Sequence, residues 1–202
     1  VNFKTGWSIE AELQALEAHY DALPGPITLI AHSFGGALAL LLAARQPERI
    51  RQVIAHEPLS FPLLNTPADQ TLFESIGDKD FYLDESKAGS PEWVSGVVDF
   101  WSGPGTWAAM DDTHQQFALA LGTKAFVEVR FGISEGISPE LLAQIPCPVH
   151  ITVGVSAPPA ERRAVEIITE LIPQGELVVV PGGHNAPLTH PQTWVPRVLS
   201  WL

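Results

Sequence analysis

The sequence predicts an α/β fold in which a parallel β-sheet is flanked by helices. Short runs rich in Ile and Val alternate with segments whose apolar residues recur at helical spacing. The four predicted strands are residues 27–31, 53–56, 149–153 and 177–180. Continuous β-branched runs of this length are typical of strands buried on both faces. Strands that alternate with helices along a chain build parallel sheets with right-handed crossovers.

Start and stop signals delimit the helices between these strands. The four predicted helices of the α/β core are residues 9–23, 34–46, 159–172 and 191–202. Ser8 precedes the first as a candidate N-cap. Pro47 ends the second, and Pro196 predicts a bend in the last, because proline disturbs a helix interior.

The middle of the chain lacks the strand–helix alternation. Residues 58–145 carry no convincing strand, and Ser90 and Ser138 each stand before a Pro–Glu pair, which is the signature of a helix start. We therefore predict that 1–57 and 146–202 form the α/β core and that 58–145 is a helical insertion.

Composition narrows the classes of partner. The 202 residues have a formal charge of −12 and a pI near 4.8, which disfavours nucleic acid and anionic membrane surfaces as partners. No apolar run approaches the ~20 residues of a membrane span, and no signal peptide is evident. The single cysteine, Cys147, excludes an intramolecular disulfide and is consistent with a reducing cytoplasm. No metal-ligand spacing occurs, and we expect no metal and no cofactor.

The junction of the first predicted strand and its helix carries the chemistry. Residues 31–36 read Ala-His-Ser-Phe-Gly-Gly, which resembles a nucleophile elbow with Ser33 at its tip. Ala31 stands where the motif usually has glycine, and Gly35 supplies the second small residue that would let strand and helix approach closely. The alternative is that Ser33 only caps the helix. The Phe34 N–H, at the helix N-terminus, is the expected oxyanion donor.

Three stretches together resemble the α/β-hydrolase superfamily. They are residues 29–50 with the elbow and its helix, 145–149 at the entry to the penultimate strand, and 180–191 with Gly-Gly-His before a helix start. The resemblance implies a serine hydrolase of which this chain is the C-terminal part. It implies Ser33 as the nucleophile and His184 as the general base. His32, beside the nucleophile, would pack against or line the substrate pocket and is a candidate substrate contact.

The triad acid departs from the usual pattern. The superfamily most often carries the acid in the loop after the penultimate strand, but residues 154–159 contain no carboxylate. Some members carry it one strand earlier, where Glu57 stands. Glu57 is the favoured acid. Glu161 in the next helix start and the absence of any acid remain open.

The resemblance also implies features around the site. The helical insertion would be a lid, with Trp101 and Trp107 as candidate substrate contacts among its aromatic residues. A whole superfamily domain has about four further strands before residue 8, including the loop that donates a second oxyanion N–H. We therefore expect an N-terminally incomplete sheet, completed by a homodimer or by a missing N-terminal chain, and weak catalysis by this chain alone.

The leading expectation is an esterase-like hydrolase that acts on an uncharged, hydrophobic small-molecule ester, lactone or thioester through an acyl-enzyme on Ser33. Amide and carbon–carbon bond hydrolysis would use the same residues. The alternatives are a catalytically impaired relative that binds a ligand or protein, and a structural subunit that needs a second chain.

Overall fold

The computed structural model describes residues 8–202 and contains a sheet of four parallel strands. In chain order the strands are β1 (Ile27–His32), β2 (Ile50–His56), β3 (Val149–Gly154) and β4 (Gly175–Val180). They lie in the same order across the sheet, so each new strand is added beside the previous one. The predicted fold class, a parallel sheet flanked by helices, is confirmed, and every strand extends beyond the run that predicted it.

The helices of residues 8–202 either flank the sheet or belong to the segment between β2 and β3. They are α1 (Ile9–Tyr20), α2 (Phe34–Arg45), α3 (Pro67–Glu74), α4 (Lys79–Leu83), α5 (Pro91–Ser102), α6 (Thr106–Ala109), α7 (Asp112–Arg130), α8 (Pro139–Ala143), α9 (Pro159–Leu171), α10 (Ala186–Thr189) and α11 (Pro191–Leu199). The predicted starts are confirmed, since the hydroxyls of Ser8, Ser90 and Ser138 each accept a backbone N–H of the first turn of α1, α5 and α8.

The main core lies between the sheet and its flanking helices. α2 packs on β1 and β2, and its Ala- and Leu-rich sequence buries Leu40 and Ala43 completely. α9 packs on β3 and β4 through Val165 and Ile168, which are also fully buried. Burying these side chains is the largest favourable contribution to folding.

Between β2 and β3, residues 57–148 contain helices and turns and no strand. Part of this segment has a small core of its own, in which the buried rings of Trp93 and Phe126 lie 5.5 Å apart. The role of this segment as a lid stays a prediction.

β1 is an edge of the sheet within residues 8–202, where β2 is its only partner. Beside that edge lies an apolar groove of about 270 Å³, lined by Leu16 and Tyr20 of α1, by residues of β1 and by α2. Ile30 of β1 is 49% exposed there. Among the helices in this part of the chain, none has the length and apolarity to cross a bilayer.

Candidate active site

Ser33 occupies the sharp turn between β1 and α2. Its backbone has φ 56° and ψ −127°, a conformation that non-glycine residues rarely adopt. The Ser33 N–H donates to the carbonyl of His56, 2.9 Å away, which ties the turn to β2. The hydroxyl caps no N–H of α2; its Oγ lies 3.0 Å from His184 Nε2. The structure therefore gives Ser33 a different partner from the one that a capping role requires.

The close approach at this turn falls on Gly36 rather than on Gly35. A Cβ at Gly36 would lie 3.0 Å from the Cβ of Pro58, whereas a Cβ at Gly35 would meet nothing within 4 Å. The expectation that Gly35 lets strand and helix approach was wrong for this pair of elements. The reason is geometric: Gly35 borders the apolar groove beside β1, while Gly36 faces the chain leaving β2.

The loop after β4 carries His184 and is held by two other histidines. His32, the last residue of β1, donates from Nε2 to the His184 carbonyl at 2.7 Å. His56, the last residue of β2, donates from Nε2 to the Gly183 carbonyl at 3.1 Å. Both rings must carry their proton on Nε2, because a carbonyl oxygen can only accept.

Burial keeps both of these histidines neutral. It lowers the pKa of His32 to about 4, with the nearby His184 and His56 rings adding to the effect. Burial likewise lowers the pKa of His56, whose Nδ1 accepts from the Thr152 hydroxyl at 2.8 Å. His56 was not identified from the sequence as a residue that holds the His184 loop. A signal was present, because β1 and β2 both end in histidine, and His32 and His56 are paired in register in the sheet.

Glu57 follows β2 directly and completes a chain of hydrogen bonds. It is fully buried, with φ 46°. Its Oε2 accepts from His184 Nδ1 at 2.8 Å, and its Oε1 accepts the Gly154 N–H at 2.8 Å. Burial alone would raise the pKa of Glu57, but the hydrogen bond and charge of His184 outweigh it and the pKa is lowered. Both oxygens are thus engaged at the site, and neither caps a helix of the 58–145 segment.

Because Nδ1 of His184 donates to a carboxylate, Nε2 is the nitrogen free to take a proton from Ser33. Phe34 is the first residue of α2, and its buried ring packs edge-on against Phe131 at 5.5 Å. Its position directly after Ser33, at the N-terminus of a twelve-residue helix, is where developing negative charge is best stabilised.

A cavity of about 440 Å³ lies beside His184. Its walls are residues 100–103 at the end of α5, residues 156–159 before α9, and residues 183–185 with Thr189. Trp101 stacks on the His184 ring with centroids 4.2 Å apart. Trp107 does not line this cavity; it packs against the core around Trp93 and Phe126. His32 touches the back of the His184 loop and is likewise not part of the wall.

Glu161, in the first turn of α9, lies at the same place. It is fully buried, and neither of its carboxylate oxygens has a hydrogen-bond partner among residues 8–202. One ligand-type atom from each of Glu57, Glu161 and His184 lies within 4.8 Å of the other two, which among residues 8–202 is the spacing that a metal ion would need. The hydrogen bonds of Glu57 and His184 already occupy both carboxylate oxygens and both ring nitrogens, so these two residues do not fit a metal site. Sequence spacing gave no sign of this cluster, since the residues come from three separate elements.

This chain is similar to known proteins both in sequence and in structure. A stretch of 53 residues is 40% identical to the lipase LipV of Mycobacterium tuberculosis, and it spans 26% of this chain and 20% of the lipase. The alignment thus covers about a fifth of that relative's length.

Solved structures are similar over nearly the whole chain at low identity. A hydrolase from Oleispira antarctica has a TM-score of 0.71 and 16% identity, covering 99% of this chain and 76% of its own. A thermophilic esterase from Thermogutta terrifontis has a TM-score of 0.67 and 20% identity, covering 96% and 72%. An enol-lactonase from Burkholderia xenovorans has a TM-score of 0.66 and 14% identity, again covering 96% and 72%. At such identities the likeness establishes the fold.

The family is established by a sequence model. The model described as "Alpha/beta hydrolase family" matches residues 5–197, which is nearly the entire chain. The membership predicted from the elbow and the Gly-Gly-His stretch is therefore confirmed: this chain belongs to the alpha/beta hydrolase family, a family of hydrolases.

Proposed function

We propose that the protein is a serine hydrolase that cleaves an uncharged carboxylic ester, lactone or thioester through an acyl-enzyme on Ser33. The observation that carries the proposal is the unbroken chain of hydrogen bonds from Glu57 through His184 to Ser33, with distances of 2.8 and 3.0 Å. A nucleophile, a base and a group that orients the base, all within hydrogen-bond reach, form the arrangement that acyl transfer requires.

The proposed reaction has two halves. Ser33 Oγ attacks the carbonyl carbon while its proton passes to His184 Nε2, and the Phe34 N–H stabilises the resulting oxyanion. The tetrahedral intermediate collapses, and the leaving alcohol takes the proton from His184. A water then attacks the acyl-enzyme, gives its proton to His184, and releases the acid as Ser33 regains that proton. Glu57 keeps its charge throughout and stabilises the imidazolium.

The cavity supports an uncharged and partly hydrophobic substrate. Phe100 and Trp101 supply an aromatic wall, while Ser102 and Asn185 supply neutral polar groups on the same rim. Asn185 Nδ2 donates to Ser102 Oγ at 3.3 Å, which joins the His184 loop to α5 across this rim. The lining contains no Lys or Arg, and the protein's net charge of −12 disfavours anionic substrates. The lipase, esterase and lactonase relatives agree with an acyl substrate.

The proposal is tested with a fluorophosphonate probe, which reacts with activated serines, followed by peptide mass spectrometry. We expect stoichiometric labelling of Ser33 that is lost in Ser33→Ala and His184→Gln. Ser95→Ala, which removes a hydroxyl from α5, is the matched control and should label like the wild type. Failure of folded wild-type protein to label at Ser33 would overturn the proposal. Turnover of a p-nitrophenyl ester series of increasing acyl length would then define the acyl preference.

A second candidate function is a binding module that needs another chain to complete its site. The open edge of β1 and the apolar groove beside it favour this alternative, because both present apolar surface of the kind that a further strand would cover. Labelling of Ser33 in the isolated chain would exclude it. Labelling that depends on an added chain or on protein concentration would support it.

A further inference from the structure

Glu161 is a buried carboxyl group that the proposed reaction does not use. No part of it is exposed, and both oxygens lack a hydrogen-bond partner among the described residues. Two ionisable side chains lie close to it: one ligand-type atom of Glu57 and one of His184 lie within 4.8 Å of a Glu161 carboxylate oxygen. An ionised carboxylate in such a place would be desolvated and unpaired, and it would lie beside a second negative charge.

Surrounding charges do not compensate Glu161. On its own helix, Arg162 donates to the carbonyl oxygens of Gly154 and Val155, and Arg163 binds Asp69 of α3 at 3.1 Å. In β4, Glu176 binds His150. His56 lies 3.6 Å from Glu57 but is held neutral by burial. The cations near α9 thus have other partners, and Glu57 is the charge that Glu161 faces most closely.

We propose that Glu161 is a positioning residue, a neutral carboxylic acid beside the Glu57–His184 pair that leaves Glu57 as the single negative charge of the site. The inference rests on the proposed function, since it concerns the same histidine. It agrees with the pKa of Glu161, which burial in the first place and the Glu57 charge in the second raise well above the ordinary value.

A charged Glu161 would impair the site. A second negative charge within 4.8 Å would repel the Glu57 carboxylate and so disturb the hydrogen bond by which Glu57 orients His184. Activity should therefore decline at alkaline pH as Glu161 loses its proton. Two neighbouring carboxyl groups that cannot both ionise are a known means of fixing which one carries the charge.

Glu161→Gln mimics the neutral form of Glu161 at every pH, since glutamine has nearly the same shape and cannot ionise. A folded pKa above the unfolded value means that the native state holds a proton that the unfolded state has lost. Wild-type stability should then fall, relative to Glu161→Gln, as pH rises from about 4.5 until the folded pKa is reached. The difference grows by about tenfold in the unfolding equilibrium constant per pH unit. Urea unfolding at pH 5, 6, 7 and 8 measures it.

Glu140→Gln is the matched control, since Glu140 is an exposed acid in the first turn of α8. It should produce no such growing difference above pH 5. Stability curves of wild type and Glu161→Gln that run parallel from pH 5 to 8 would overturn the proposal, whatever the state of the catalytic assay.

The pH profile of kcat/KM provides the readout that a purely structural role would not move. We expect Glu161→Gln to follow the wild type on the acid side and to keep its rate where the wild type declines on the alkaline side. An alkaline limb that is unchanged in the variant would contradict the proposal. Labelling of Ser33 by the fluorophosphonate in the same samples shows separately whether the proposed hydrolase function holds.

Discussion

Ser33 and Glu57 are the two non-glycine residues at positive φ within residues 8–202, and both follow the ends of paired strands. Such conformations cost roughly 1–3 kcal/mol each and persist where surrounding contacts hold them. Here the Ser33 N–H donates to the His56 carbonyl and the Glu57 N–H donates to the Thr152 carbonyl, at 2.9 and 3.0 Å. The sheet thus holds a strained serine and a strained glutamate one strand apart, with His184 between their side chains.

Replacing Glu57 with Gln should lower kcat by about 10⁴-fold, because the amide cannot stabilise the imidazolium or select the required tautomer. The free energy of unfolding at pH 7 should change by less than about 1 kcal/mol, since the shape is kept and the Gly154 N–H retains an acceptor. Steady-state ester hydrolysis and urea unfolding measure the two effects. Glu74→Gln, at an exposed site in α3, is the control. A Glu57→Gln enzyme with near wild-type turnover would exclude Glu57 as the orienting acid.

His32 should make the free energy of unfolding depend on pH between its unfolded and its folded pKa. The folded pKa is about 4, below the ordinary 6.5, so the unfolded state binds a proton first as pH falls. The contribution of His32 is fully present above pH 6.5 and is lost between pH 6.5 and 4, by at most about 3 kcal/mol. Urea unfolding across this window should show a shallower loss in His32→Gln. Equal slopes in the two proteins would rule out a buried neutral His32.

At the scale of elements, the site depends on how closely the His184 loop fits onto the end of β3. A Cβ on Gly154 would lie 2.5 Å from the Gly182 carbonyl oxygen and 2.6 Å from the Gly183 Cα. The same Gly154 supplies the N–H that holds Glu57. Absence of a side chain at Gly154 therefore allows His184 and Glu57 to come within hydrogen-bond distance.

Gly154→Ala should lower kcat/KM by more than tenfold, because the loop must move away by several tenths of an ångström or more and carry His184 from Ser33. Thermal stability should also fall. Gly35→Ala is the control within the same fold, since its added methyl meets nothing within 4 Å. Equal activities of the two variants would show that the His184 loop adapts without loss of geometry.

The strands and several helices could be predicted because local sequence signals define them. Strand runs and Ser-Pro helix starts are local signals, so β1 to β4, α5 and α8 could be predicted with short errors at their ends. Ser33, His184 and Glu57 lie next to strand ends, which a parallel sheet gathers at one edge. The burial of Glu161 could not be predicted, because it depends on the packing of α9 on the sheet, which no local sequence pattern records.

At the scale of the whole molecule, the two edge strands of the sheet, β1 and β4, differ in the surface beside them. β1 presents Ile30, 49% exposed, beside an apolar groove, and β4 presents Val179, 51% exposed. An apolar strand edge favours pairing with another strand. We propose that a second copy of this chain associates through β1.

Sedimentation velocity should show concentration-dependent self-association of this chain. Ile30→Lys should reduce the association, because a charge cannot be buried in the groove without a partner, and Val179→Lys should not. The two variants introduce the same charge at equally exposed positions of opposite edges. Association that is sensitive to Val179→Lys alone would assign the contact to β4.

In the proposed mechanism, Glu57 after the end of β2 is the acid that orients His184, so the loop after β3 takes no part in proton transfer. Residues 156–159 form a wall of the cavity, yet their side chains hold neither the histidine nor the acid. On this proposal, substitutions in this stretch should change which acyl group fits the cavity while Ser33, His184 and Glu57 keep their mutual geometry. A library randomised at Ser156, Ala157 and Pro158 should therefore yield variants that accept different substrates. Because these residues do not take part in the proposed reaction, substrate specificity and turnover could change independently, in such a library or in evolution.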